Sequence, residues 1–249
     1  GQGSPTVIFI SGGATAADLW DSPLSPPPTV YATLARTNRV CAYDRPGATR
    51  VTAQGGFSRS DPVAQPVTTS QSASDLHALL QAVGETEPFV LVAHSYGGLI
   101  ARLYASTHPT QVLGMALLDI LSPEFREALL PAQWLIWATW NATPPEVLQD
   151  YPQIERVDFD RALDDVVANR AIPPMPLIVL TSDAPFSPPT QPGVPLDFNI
   201  VARDAQDVSQ RRVAQLVPGA KHVTKTDSGH NLMLDNPTLV SESIRELLA

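Results

Sequence analysis

The sequence predicts an α/β fold: one doubly wound, mostly parallel sheet with helices on both faces. Three observations carry this. Six short apolar, β-branched runs recur along the 249 residues. Most of them show no in/out alternation, the pattern of strands covered on both faces. Helix-compatible segments lie between them, and alternating strand and helix specify a layered α/β domain. No internal repeat interrupts the series.

The elements follow in order. "TVIFI" (6–10) and "RVCAYD" (39–44) read as the first two strands. "SQSASDLHALLQAVG" (70–84) reads as a helix. It opens with polar cap candidates, carries Leu76, Leu79, Leu80 and Val83 on one face, and stops at Gly84. "FVLVA" (89–93) is the third strand, and a helix over 96–108 follows until Pro109 ends it. "VLGMALLD" (112–119), "PLIVLT" (176–181) and "AKHVTKT" (220–226) complete the strands. Two more helices span 201–217 and 236–249, the last with Asn236 as cap and Pro237 at its first position. The stretch 122–175 breaks the rhythm: it is rich in Trp and Pro, has helical pieces and lacks a clear strand. It predicts a short helical lid inserted over the carboxyl ends of the strands, where α/β proteins place their sites. The core is then 1–121 together with 176–249.

Composition narrows the function. With 43% hydrophobic and 16% charged residues the chain is a folded one. Its 25 acidic and 16 basic residues give a net charge of -9, which disfavours nucleic acid and anionic membrane surfaces as partners. No apolar run approaches the roughly 18 residues of a membrane span. Cys41 is the single cysteine, so no intrachain disulfide forms and cysteine usage does not mark the compartment. The opening "GQGSPTVIFIS" reads as a trimmed start, compatible with a soluble cytoplasmic protein or a secreted one that has lost a leader. Metal-ligand spacing and a phosphate-binding glycine loop are both missing. The expected partner is therefore a small-molecule substrate, with no metal and no cofactor.

The strongest motif is "AHSYG" (93–97), which fits G-x-S-x-G with Ala93 in the first small position. A strand that turns at once into a helix forces its apex residue into a strained conformation and demands small flanking residues. The turn lifts the Ser95 hydroxyl clear of the sheet, near a helix N-terminus that favours developing negative charge. A serine needs a base to take its proton. Of five histidines, His77, His108 and His222 lie within or at the ends of regular elements, and His94 is expected to point away from Ser95. His230 sits in a Gly-containing loop, "TDSGHNLMLDNP" (226–237), after the last strand, where it can reach the serine.

The chain resembles the α/β-hydrolase superfamily along essentially its whole length. The resemblance rests on "VIFISGG", "VCAYDRPG", "DLHALL", "VLVAHSYGGLIARLYA", "GMALLD" and "SGHNLMLDNP", in the family's order. It implies an α/β-hydrolase fold and a Ser-acid-His triad, and it assigns an oxyanion hole to the backbone N–H groups of Gly13 and Tyr96. The family's fold usually begins with an antiparallel strand pair that this chain starts too late to hold. Arg45 and Asp44 of "YDRPG" are expected to buttress the site structurally. The family's usual acid lies shortly after the strand at 176–181, but Asp183 arrives early and Pro185 occupies the expected place. Asp119, at the tip of the preceding strand, is the favoured acid and Asp183 the alternative. Trp134, Trp137 and Trp140 would form a stripe on a helix, as packing for the lid or as a wall of the substrate site. Few basic residues in 122–175 could clamp an anion, so the expected substrate is a neutral, largely apolar carboxylic ester or lactone. The alternatives are the same triad used for C–C bond cleavage, acyl transfer or peptide hydrolysis, and a non-catalytic ligand sensor on the same scaffold.

Overall fold

The structure, a computed structural model, describes residues 1–51 and 56–249. Its six strands are β1 (Val7–Ile10), β2 (Val40–Ala42), β3 (Phe89–His94), β4 (Val112–Leu118), β5 (Leu177–Leu180) and β6 (Lys221–Val223). They form one sheet in the order β2-β1-β3-β4-β5-β6, with every pairing parallel. The helices are α1 (Val30–Leu34), α2 (Thr69–Ala82), α3 (Gly97–Thr107), α4 (Pro123–Glu127), α5 (Pro131–Trp140), α6 (Pro145–Asp150), α7 (Phe159–Ala168), α8 (Phe198–Val213), α9 (Leu232–Asp235) and α10 (Pro237–Leu248).

Both faces of the sheet are buried, which explains the unbroken apolar strands. Ile8, Leu91, Leu117 and Val179 face one core with residues of α2, α3, α7 and α8. Phe9, Val92, Leu118 and Leu180 face the other with α1, α9 and α10. The alternation is present, but each side of it meets a helical layer. The strand order reverses direction between β1 and β3, and such a switch point opens a crevice at the carboxyl ends of the strands.

Several element boundaries differ from the sequence reading. Helix α2 buries Thr69, Ser72, Ala73, Leu76 and Leu80, while Leu79 and Val83 are exposed. Its buried stripe is centred between the Leu76 and Ala73 rows, so Leu79 falls at its edge and Val83 is already the C-cap. Strand β6 stops at Val223 rather than reaching 226, and Thr226 instead gives its N–H to the Asp183 carboxylate and its hydroxyl to the Thr181 carbonyl. Helix α8 begins at Phe198, three residues before the run that suggested it. Between β4 and β5 lie α4 to α7 and no strand among the described residues. Helices α4, α5 and α6 each carry Pro in the first turn, where its missing N–H costs nothing.

Candidate active site

The turn after β3 is held where the sequence placed it. Ser95 has φ of +52°, in the left-handed region that non-glycine residues avoid. Its N–H donates to the Leu118 carbonyl at 3.2 Å, and its carbonyl accepts from Gly98 and Leu121 at 3.0 Å each. The glycines after it are required. A Cβ on Gly97 would lie 2.5 Å from the Ile10 carbonyl oxygen, and one on Gly98 would lie 2.4 Å from the Ile120 side chain. Ala14, Asp119 and Asp227 share this positive-φ backbone, and among the described residues they and Ser95 are the only non-glycine residues that do. All four stand on the loops leaving β1, β3, β4 and β6. Backbone strain of about 1–3 kcal/mol per residue persists only where surroundings enforce it, and functional sites are where it collects.

Residues 11–14 leave β1 beside this turn. A Cβ on Gly12 would come within 3.1 Å of the Ser95 side chain, and one on Gly13 within 3.7 Å of Tyr96 Cβ. Neither the Gly13 N–H nor the Tyr96 N–H has an acceptor among the described residues. The loop is braced from beneath by Arg45, which donates to the Ser11 and Gly12 carbonyls and to both carboxylate oxygens of Glu155. Glu155 also accepts the Ala14 N–H at 2.6 Å. Arg45 and Glu155 are both buried. Burial works against the guanidinium's charge, and the Glu155 carboxylate more than restores it, so the Arg45 pKa is raised. Arg45 is thus structural, as expected. Glu155 leaves no local signal in the sequence because it lies 110 residues from its partner, between α6 and α7.

His230 follows β6. Its Nδ1–H donates to Asp119 Oδ2 at 2.7 Å. Asp119 is fully buried, and its other oxygen accepts from the Ser182 N–H and Gln206 Nε2, both at 3.2 Å. Burial raises the carboxyl's pKa, but the His230 hydrogen bond and charge, with Gln206 and Ser182, outweigh it and hold the group below its ordinary range. Asp183, the alternative acid, is not in contact with the imidazole. Its carboxylate accepts the N–H groups of Thr226, Asp227 and Ser228 and lies mostly in solvent. It faces a separate cavity of about 680 Å³ along β5 and α8, which neither Ser95 nor His230 lines.

His94 departs from expectation. Rather than facing away, its Nε2–H donates to the His230 carbonyl at 2.9 Å, and the two rings lie 4.6 Å apart. A carbonyl partner makes Nε2 the protonated nitrogen, and the buried Nδ1 has no partner among the described residues. Burial, then the nearby His230, push the His94 pKa down to about 3, so its ring stays neutral. A reading confined to strand alternation aims residue 94 away from residue 95, yet does not show that the His230 loop folds back over that side.

Two cavities meet at Ser95. One of about 700 Å³ is lined by Gly12, Gly13, Tyr96, Trp137, Arg156 and His230 among others. The second, of about 370 Å³, has Phe125, Trp137, Trp140 and Phe186 in its wall. Ser95 and His230 line both. Trp134 lines neither. Its ring stacks on Trp137 at 4.8 Å and its Nε1–H donates to Asp160 at 2.8 Å, because the first turn of α5 faces α7 rather than the cavity. Among the described residues no group of His, Cys, Asp and Glu is arranged to hold a metal ion, and no helix is long and apolar enough to cross a membrane.

The profile of the alpha/beta hydrolase family matches residues 7–243. The chain belongs to this family. The uncharacterized protein YqjL of Bacillus subtilis (strain 168) is 30% identical over 119 residues, 48% of this chain and 41% of the relative. An AB hydrolase superfamily protein of Gibberella zeae is 30% identical over 132 residues, 52% of this chain and 37% of the relative. The matched part is thus about two fifths of these relatives' length. Solved hydrolases extend the likeness of fold. Carboxylesterase CesB (YbfK) from Bacillus subtilis superposes with a TM-score of 0.63 at 17% identity, covering 100% of this chain and 85% of that one. The enol-lactonase from Burkholderia xenovorans LB400 gives 0.58 at 17% identity, covering 100% and 92%.

Proposed function

We propose that this hydrolase opens a carboxylic ester or lactone through an acyl-enzyme on Ser95, with His230 as base and Asp119 as the acid of the triad. The observation that carries the reading is the 2.7 Å bond from His230 Nδ1–H to buried Asp119, beside a strained serine that lines the same cavities as the imidazole. With Nδ1 protonated and committed to the carboxylate, Nε2 is left to take the Ser95 proton. Ser95 Oγ attacks the carbonyl carbon, and the oxyanion accepts the N–H groups of Gly13 and Tyr96. The unpartnered state of those amides supports this role, and each such donor contributes about 3 kcal/mol to the transition state. His230 returns the proton to the departing alkoxide. It then deprotonates the water that releases the acid and frees Ser95.

Residues 122–175 act as the lid, supplying Trp137 and Trp140 to the wall of the site, while Trp134 packs the lid. The part of the substrate seated against Trp137, Trp140 and Phe186 is apolar. The esterase and lactonase named above are in keeping with this class of reaction.

The test is Ser95→Ala assayed on p-nitrophenyl butyrate. Turnover is expected to fall by about 10⁴-fold or more. Undiminished turnover would end the proposal. Labelling of the unaltered protein by a fluorophosphonate separates it from a ligand sensor, whose serine would stay unmodified.

A further inference from the structure

The four arginines of residues 122–175 have different surroundings. Arg126 pairs with Asp160 and Asp164, Arg161 with Asp158, and Arg170 with Glu127. Arg156 has no carboxylate partner among the described residues. Its backbone is fixed: the N–H donates to Gln65 Oε1 at 2.9 Å, and the carbonyl accepts from Val67 at 2.8 Å. Its side-chain Nε is buried and without a hydrogen-bond partner among the described residues. The neighbouring carboxylate does not serve it, because Glu155 is committed to Arg45 and the Ala14 N–H.

Arg156 also lines the 700 Å³ cavity shared by Ser95, Gly13 and His230. Glu155 is the other side chain of fixed charge in that wall, and its charge is met by Arg45. Among the described residues the cavity therefore holds one uncompensated cation, in a chain whose net charge is -9. A guanidinium stays charged at every working pH, and a buried N–H without an acceptor is unfavourable. Its planar fork fits a carboxylate, and charge-assisted bonds of that kind are the strong ones.

We propose that Arg156 is a specificity-determining residue that binds a carboxylate carried by the substrate. The preferred substrate is then an ester or lactone with an apolar portion and one free carboxylate, not a wholly neutral one. One fork with one uncompensated charge suits a monoanion. The proposal rests on Ser95 being the nucleophile, and it names the substrate class of that site.

The experiment measures kcat/KM for matched pairs. Monomethyl esters of linear diacids are compared with methyl esters of monoacids of equal chain length. Acetates of ω-hydroxy acids are compared with acetates of simple alkanols, so the carboxylate is tried on both sides of the ester bond. At one chain length the carboxylate member is expected to be about 10- to 100-fold better, mainly through KM. Arg156→Gln should bring that ratio close to one, and Arg156→Lys should restore part of it. Equal rates within every pair, or a preference that survives Arg156→Gln, would overturn the assignment. If Arg156→Gln fails to fold, Arg156→Lys carries the comparison, and equal wild-type rates still overturn the assignment. Calorimetric titration of the Ser95→Ala protein with the same monomethyl esters of linear diacids adds a readout free of turnover. Binding there that disappears on adding Arg156→Gln supports the assignment even if the hydrolase reading fails, and absence of binding at every chain length counts against it.

Discussion

The ends of β4 and β5 each carry an aspartate, and the two do different work on one loop. Asp119, at the end of β4, is fully buried and spends one carboxylate oxygen on the His230 ring. Asp183, past the end of β5, is exposed and gathers the backbone N–H groups of residues 226–228. His94 adds a third anchor at the His230 carbonyl. The loop's path is thus set by Asp183 and His94, while Asp119 orients the ring alone. The difference teaches that a carboxylate at a strand tip is assigned by depth. The buried one meets a polarisable ring in a low dielectric, and the exposed one serves as a loop brace.

Three experiments sharpen this contrast. The largest effect is expected for Asp119→Asn, which keeps the shape but leaves the imidazole free to adopt the wrong tautomer. Its kcat should fall on the order of 10⁴-fold in an ester assay, with KM little changed. A loss within tenfold would move the acid elsewhere.

Next in size is an effect on acid stability. His94 has a pKa of about 3 in the folded protein and about 6.5 when unfolded. Between these values the unfolded chain binds a proton that the folded one refuses. Stability therefore falls as pH drops from about 6.5 toward 3, by up to a few kcal/mol. His94→Gln keeps a donor for the His230 carbonyl and removes the titration. Its unfolding free energy, measured in urea against pH, should decline less across that window than the wild type's. Parallel curves would show that His94 is not held neutral. Asp119 and Asp183 act in the same direction at lower pH. Both are held below the ordinary carboxylate range, so both stabilise above it and lose that contribution as pH falls through the depressed values.

The smallest effect is expected for Asp183→Asn. It replaces a carboxylate that accepts several N–H groups by an amide with one acceptor oxygen. The group faces solvent, so the cost should be roughly 1 kcal/mol, seen as a fall of about 2–4 °C in Tm. Ester turnover should change within tenfold. If Asp183→Asn lost more activity than Asp119→Asn, the comparison would be reversed.

The site was legible in the sequence to different depths. The serine turn could be read because its requirements are contiguous: an apolar strand, a strained apex and glycines that leave room for the Ile10 carbonyl and Ile120. The stripe of Trp134, Trp137 and Trp140 is visible from the helical period, but the packing of α7 and α8 decides that Trp137 and Trp140 face the cavity and Trp134 does not. Gln206 and Glu155 gave no local signal beyond being polar residues in helical or loop segments, and Arg156 looks like any other arginine until its neighbours are placed. Strand alternation aims His94 away from residue 95, but it describes direction and not the His230 loop that folds over that side.

By itself the sequence determined the layered α/β architecture and the strained turn at Ser95. Both follow from short-range physics, namely strands apolar on both faces and small residues around a sharp bend. Only the tertiary structure decided which carboxylate meets His230, which histidine steadies the loop, and which arginine lacks a partner among the described residues. Asp119 and His230 are 111 residues apart. Hydrogen bonds over such separations are selected by the packing of whole elements, because burial fixes which polar groups must find one another and which can remain in water.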